Sequence, residues 1–137
     1  MPLRLIDTHA HLDFQEYTDD RSEVIDRAHN AGVEKIINIG CDEDHFKSTL
    51  EMATGHDRLY GAIGVHPHEA VGLGSAGDVD TELARIQQRL RDFSNYDKLV
   101  AIGEIGLDFY RLVRQHDPQP RSIRTLQAEL FRAQLDV

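Results

Sequence analysis

The sequence predicts an α/β protein built on a parallel sheet. Short β-branched apolar runs alternate with stretches of helical periodicity, no hairpin signal separates them, and each strand-helix unit takes roughly 30 residues, the length of a parallel crossover.

Leu3 to Asp7 is apolar and then turns abruptly polar, which predicts a first strand. Val24, Ile25, Ala28 and Ala31 share a helical face, and Gly32 follows as a stop. Lys35 to Gly40, with Ile36, Ile37 and Ile39, predicts a second strand. Asp42 is placed to cap a helix with Phe46, Leu50 and Ala53 on its inner face, and a third strand runs from about Leu59 to Val65, ended by Pro67. Val71 to Gly77 reads as a glycine-rich loop. Leu83, Ile86, Leu90 and Phe93 predict a third amphipathic helix, Leu99 to Glu104 a fourth strand, and Ile123, Leu126 and Leu130 a last helix. Two architectures fit: an open doubly wound sheet, complete at this length, or about half of a closed (β/α)8 barrel, which takes about 250 residues.

The 137 residues, 40% hydrophobic, suffice for one globular domain with a core. The net charge of -9 and the lack of a polybasic tract argue against non-specific gripping of phosphates. Cys41 is the single cysteine, so no intramolecular disulfide is expected. No window approaches the roughly 18 apolar residues of a membrane span, and the start MPLRLIDTHAHLD lacks the apolar core of a signal peptide, so the expected setting is cytoplasmic, without membrane partners.

Polar residues collect where strands end, the side of a parallel α/β fold on which sites assemble. His9 and His11, two apart after the first strand, point to one side of an extended chain and suit a shared metal, with Asp7 placed to accept a hydrogen bond from a ligating imidazole. Glu104 follows the apolar Val100-Ala101-Ile102 stretch, where a carboxylate is costly unless paired or bound to metal, and Gly103 and Gly106 suggest a close backbone approach or an unusual turn. Two imidazoles and a carboxylate suit a borderline divalent ion such as Zn, Mn or Mg. His66, after the third strand, faces the same mouth and is a candidate for phosphate binding or proton transfer, whereas His68, beyond Pro67, is expected to be solvated. Tyr110 and Arg111, just after Asp108, are further candidates to touch an anionic substrate. Cys41 is read as a small filler, and His29, His45, His56 and His116 receive no role.

Together, IDTHAHLD, GVHPH, VAIGEIGLDFYR and QAELFRAQL resemble, in order and spacing, the TatD-type deoxyribonucleases of the metal-dependent hydrolase superfamily. The resemblance implies a TIM-type (β/α) barrel, of which residues 1–137 would be the first four units of one domain, with no separate linker or second domain. It implies that His9, His11 and Glu104 bind one divalent ion, that Glu104 bridges to a second, and that the site takes two ions (Mg, Mn or Zn). Glu104 and His66 become the catalytic candidates, and His66, Asp108 and Arg111 the substrate contacts. The implied reaction is hydrolysis of DNA phosphodiester bonds, exonucleolytic on single-stranded ends, because the base stack must open before a phosphate reaches metals in a narrow mouth. The family's later ligands, two histidines and an aspartate, have no counterpart before Val137, where a fifth strand is expected. The chain alone is therefore expected to be inactive and prone to self-association through its outer strands. The rival readings are an amidohydrolase-type enzyme cleaving C-N or ester bonds, which shares the His-x-His start but normally lacks the GEIGLD motif, and a catalytically incomplete interaction module.

Overall fold

A computed structural model describes residues 4–110 and 122–137. Four parallel strands, β1 (Leu5–Ala10), β2 (Val33–Gly40), β3 (Leu59–Ile63) and β4 (Leu99–Ile102), pair in the order β1-β2-β3-β4. They alternate with α1 (Arg21–Asn30), α2 (Glu43–Thr54), the short α3 (Ala70–Leu73) and α4 (Val79–Asp92), and α5 (Ile123–Leu135) closes the described chain. The neighbour-to-neighbour order is that of consecutive barrel staves, whereas the doubly wound orders reverse at a switch point.

Local chemistry sets the boundaries. Gly32, at φ 104°, follows α1. The Asp42 and Asp78 carboxylates cap α2 and α4 by accepting main-chain N–H bonds from His45 and Asp80, and Ser122 does the same for α5 from Thr125. Pro67 opens a 3-10 turn over Pro67–Glu69 at a position where no N–H is needed. The expected loop from Val71 to Gly77 is instead partly helical. Ala70 and Leu73 of α3 are buried, at 0% and 4% exposure, and that packing overrides the low helix propensity of the glycines around them.

The helices cover one face of the sheet. Phe46 and Leu50 of α2, Ile86 and Leu90 of α4 and Leu126 and Leu130 of α5 enclose Ile63, while Ile25 and Ala53 pack with Ile36 and Leu59. Each fully buried aliphatic side chain contributes about 1.5–3 kcal/mol relative to exposure. Strand alternation then assigns faces. Leu59, Gly61 and Ile63 point toward the helices, where a side chain at Gly61 would strike Leu50, and Tyr60, paired with Ile37, points the other way. The strand isoleucines therefore divide between the two faces. Ile63 and its partner Ile102 pack in the helical core, and Ile6, 60% exposed, lies on the uncovered side.

Candidate metal centre

The end of β1 is irregular. Asp7 pairs with Ile36 and Ala10 with Asn38, three steps on β1 against two on β2. This extra residue turns Ala10 toward the Leu12–Ile25–Ile36 core and leaves His9 and His11 on the opposite side. Beneath them, the buried Asn38 accepts from the Leu12 N–H at 2.5 Å and donates to Asp13 at 2.7 Å, and Thr49 of α2 donates to the same carboxylate at 2.7 Å. Asp13 thus fixes the loop carrying the histidines, a role that the sequence hid because its partners lie on distant elements.

The three expected ligands converge. His9 Nε2 lies 3.2 Å from His11 Nε2 and 3.2 Å from Glu104 Oε2. Tetrahedral zinc with bonds of 2.0–2.1 Å separates its donors by about 3.3 Å, so the spacing fits one small divalent ion. The tautomer fits as well. His11 Nδ1 lies 3.0 Å from the Ile39 carbonyl, which can only accept, so the proton sits on Nδ1 and Nε2 presents a lone pair. Phe14 stacks on the His11 ring at 4.7 Å and meets the His45 ring at 5.2 Å, holding His11 in plane. Asp7 takes another part than expected: its Oδ1 accepts the His9 main-chain N–H at 3.0 Å, two residues on in the tight loop. A cleft of about 560 Å³ beside β1 is lined by His9, His11, Phe14 and Tyr17, among others.

Glu104 leaves β4 through a cis Gly103–Glu104 peptide. The close backbone approach expected at Gly103 is made with Gly64, where an added Cβ would lie 2.8 Å from Ile105 Cγ2 and 2.9 Å from the Gly103 carbonyl carbon, while a Cβ at Gly103 itself would meet nothing within 4 Å. Gly106 supplies the unusual turn, at φ 139°.

On the far side of Glu104, His66 Nε2 stands 3.6 Å from Oε1. The His66 Nδ1 accepts the His68 N–H at 3.1 Å, so the proton of the neutral ring lies on Nε2, facing Glu104. Burial pushes the His66 imidazole below the usual histidine range, partly offset by Glu104, and favours that neutral form. His68 is not the solvated residue expected beyond Pro67. Its side chain is 29% exposed, and its Nε2 lies 2.5 Å from Asp108 Oδ2, an ion-pair contact not aligned as a hydrogen bond, because the loop after β4 folds over it. Asp108 Oδ1 also accepts from the Tyr110 N–H, which, ahead of His68, holds the Asp108 carboxyl below the usual range. Arg111 lies outside the described residues.

Cys41 is less isolated than its sequence neighbours suggested. Cys41, Asp42 and His45 offer donor atoms within 4.8 Å of one another, as do His66, His68 and Asp108. Sequence spacing did contain the first signal, since a residue at a strand end meets the first turn of the next helix. Burial pushes the Cys41 thiol up, away from the thiolate that metals and electrophiles prefer, and His45 is committed to Asp42 at 2.7 Å.

Comparison with known proteins identifies a family. The family model described as TatD related DNase matches residues 6–137. An uncharacterized metal-dependent hydrolase of Bacillus subtilis, YabD, is 38% identical over 96% of this chain and 45% of its own length. A protein of Pantoea ananatis named 3'-5' ssDNA/RNA exonuclease TatD is 32% identical over 84% of this chain and 41% of its own. The crystal structure of YjjV, a TatD homolog from Escherichia coli, superposes with a TM-score of 0.75 at 34% identity, covering 99% of this chain and 47% of that one. The chain spans about half the length of these relatives, and with four parallel βα units and a family match from Ile6 to Val137, it belongs to the TatD-related DNase family.

Proposed function

We propose that this chain carries the metal-binding half of a phosphodiesterase site that acts on DNA, exonucleolytically at single-stranded ends. The observation that carries the reading is the convergence of His9 Nε2, His11 Nε2 and Glu104 Oε2, with the His66 Nε2 proton facing Glu104 from the other side. The resemblance to a protein named an ssDNA/RNA exonuclease supports nucleic acid as the substrate class. When bound, a divalent ion (Mg, Mn or Zn) supplies Lewis acidity and lowers the pKa of water toward neutrality. His9, His11 and Glu104 hold it. His66, neutral and protonated at Nε2, is a donor to a phosphodiester oxygen. Asp108 contributes by anchoring its loop through Tyr110 and His68, and Arg111 is a candidate phosphate contact.

Three protein ligands suffice for one ion. Glu104, which meets His9 through one oxygen and His66 through the other, would also help to hold a second, as the family resemblance implies. Residues 1–137 by themselves are expected to bind one ion and to hydrolyse DNA poorly, since the second clamp on the leaving oxygen is missing from this ligand set. Self-association over the uncovered sheet face, where Ile6 is 60% exposed, is the partner expected of the isolated chain.

The test compares this chain and the longest reading frame containing it, each with Glu104 intact and with Glu104→Gln, on end-labelled linear and on circular single-stranded DNA with Mg, Mn or Zn. Metal-dependent shortening of the linear strand alone, lost in Glu104→Gln, is the expected result. Cleavage of the circle would replace the exonucleolytic reading with an endonucleolytic one, and activity that survives Glu104→Gln would remove this residue from the mechanism.

A further inference from the structure

Helix α5 carries two side chains into the interior that neither the hydrophobic core nor the ligand set explains. Gln127 is 0% exposed and Gln134 2%. A primary amide is costly to bury unless its donors and acceptor are matched, and main chain matches both. Gln134 accepts from the Val65 N–H at 2.6 Å and donates to the Val65 carbonyl at 3.0 Å, the two-bond pairing that a neighbouring strand would make, so it grips a single segment. Gln127 grips two. Its Oε1 accepts from the Asp108 N–H at 3.0 Å, and its Nε2 donates to the Asp108 carbonyl at 3.0 Å and to the Pro67 carbonyl at 3.2 Å.

The two segments joined in this way are the ones that carry His66 and Glu104. Each leaves the sheet by one last main-chain bond, His66 N–H to the Cys41 carbonyl at 2.8 Å and Gly103 N–H to the Ile63 carbonyl at 2.9 Å. Beyond those bonds the Pro67–His68 and Glu104–Asp108 stretches depend on other partners. The His68–Asp108 pair links them at the rim, where both side chains are partly exposed, and Gln127 links them from beneath, where water does not compete.

Resting on the reading of Glu104 as a metal ligand, we infer that Gln127 is a positioning residue: it fixes the two loops against each other and so sets the 3.6 Å separation of His66 Nε2 from Glu104 Oε1. It acts through the Pro67 and Asp108 backbones and touches neither ion nor substrate.

The experiment compares Gln127→Met, which keeps length and removes the hydrogen bonds, with Leu130→Ala, which opens a cavity on the same helix and removes none. Gln127→Asn, an amide one methylene too short to span both loops, is read in the same way if the methionine variant fails to fold. Two measurements are made: amide hydrogen exchange at residues 66–69 and 104–110 in the metal-free protein, and titration with Co²⁺ followed by its visible spectrum. Losing Gln127 should speed exchange in both segments together and weaken Co²⁺ binding by about tenfold or more, the usual loss when a group supporting a metal ligand is removed. Leu130→Ala should leave both readouts near wild type. Faster exchange in one segment only, unchanged exchange, or reproduction of both effects by Leu130→Ala would overturn the inference. If the unaltered protein binds no Co²⁺, the metal reading fails, and the exchange comparison still decides the clamp.

Discussion

The two faces of the sheet are made by the same strands and differ in what they are for. On the helix-covered face Leu59 and Ile63 are 0% exposed and Ile36 6%, whereas on the other face Ile6 is 60% exposed and Tyr60 lies between the ammonium groups of Lys35 and Lys98, at 5.0 and 4.7 Å. The candidate ligands His9, His11 and Glu104 belong to the second face, at the strand ends, where His9 is half exposed at 50%. Stability is concentrated where water is excluded, and the groups that must meet an ion and a substrate are kept where desolvation is incomplete. A histidine-carboxylate cluster buried in the helical core would carry a desolvation cost that its present location avoids.

The sharpest way to break that contrast is to remove packing from the covered face. Leu50→Ala should destabilise the protein by about 2–5 kcal/mol, read from the midpoint and slope of urea denaturation. An intermediate effect is expected at the seam between core and rim, where Asp42 both caps α2 and holds His45. Asp42→Ala should cost about 1 kcal/mol and return the His45 imidazole toward its ordinary value. On the uncovered face Ile6→Thr keeps the β-branch and should change stability by no more than about 0.5 kcal/mol, while reducing any self-association seen by light scattering. A cost for Ile6→Thr that matches Leu50→Ala would mean that something covers this face in solution, and the contrast would be lost.

The smallest effect separates two histidines by pH. The hydrogen bond to Asp42 raises the His45 imidazole above its ordinary value of 6.5, so its contribution to stability is present below that value and is lost as pH rises through the folded value. Burial lowers His66 from the same 6.5, so its contribution is present above that value and is lost as pH falls toward the folded one. In an NMR titration of the metal-free protein the His66 ring should therefore deprotonate at a lower pH than the His45 ring. Coincident titration of the two rings would show that at least one of the two environments does not act as described.

The elements and the clustering of His9, His11 and Glu104 were legible in the sequence for the same physical reason: both are local. A strand end is visible as an apolar run turning polar, and His9, His11 and Glu104 each sit within a few residues of such an end. What escaped notice depends on residues far apart in sequence. Ile63 could not be assigned to a face until its register with Ile102 and its contacts with α2 and α5 were known. The Asp13–Asn38–Thr49 network and the bond from Gln127 to Pro67, 60 residues away, have no local signature. One clue was present: Ile123, Gln127, Leu130 and Gln134 follow the i, i+4, i+7, i+11 spacing of a buried stripe, and amides in such places imply buried partners. The short α3 was missed because glycine composition speaks for loop, while the burial of Ala70 and Leu73 decides for helix.

The crowding at Gly64 has a use in genetics. An alanine there would press its methyl group against Ile105 and the Gly103 backbone, both fixed close to the point where Glu104 enters the site. Every ligating group would remain in the chain, yet the carboxylate would be carried out of reach of the two imidazoles. A Gly64→Ala allele would thus serve as a loss-of-site control that keeps the surface charge and the His9, His11 and Glu104 side chains of the wild type, separating phenotypes that need the chemistry from those that need only the presence of the protein.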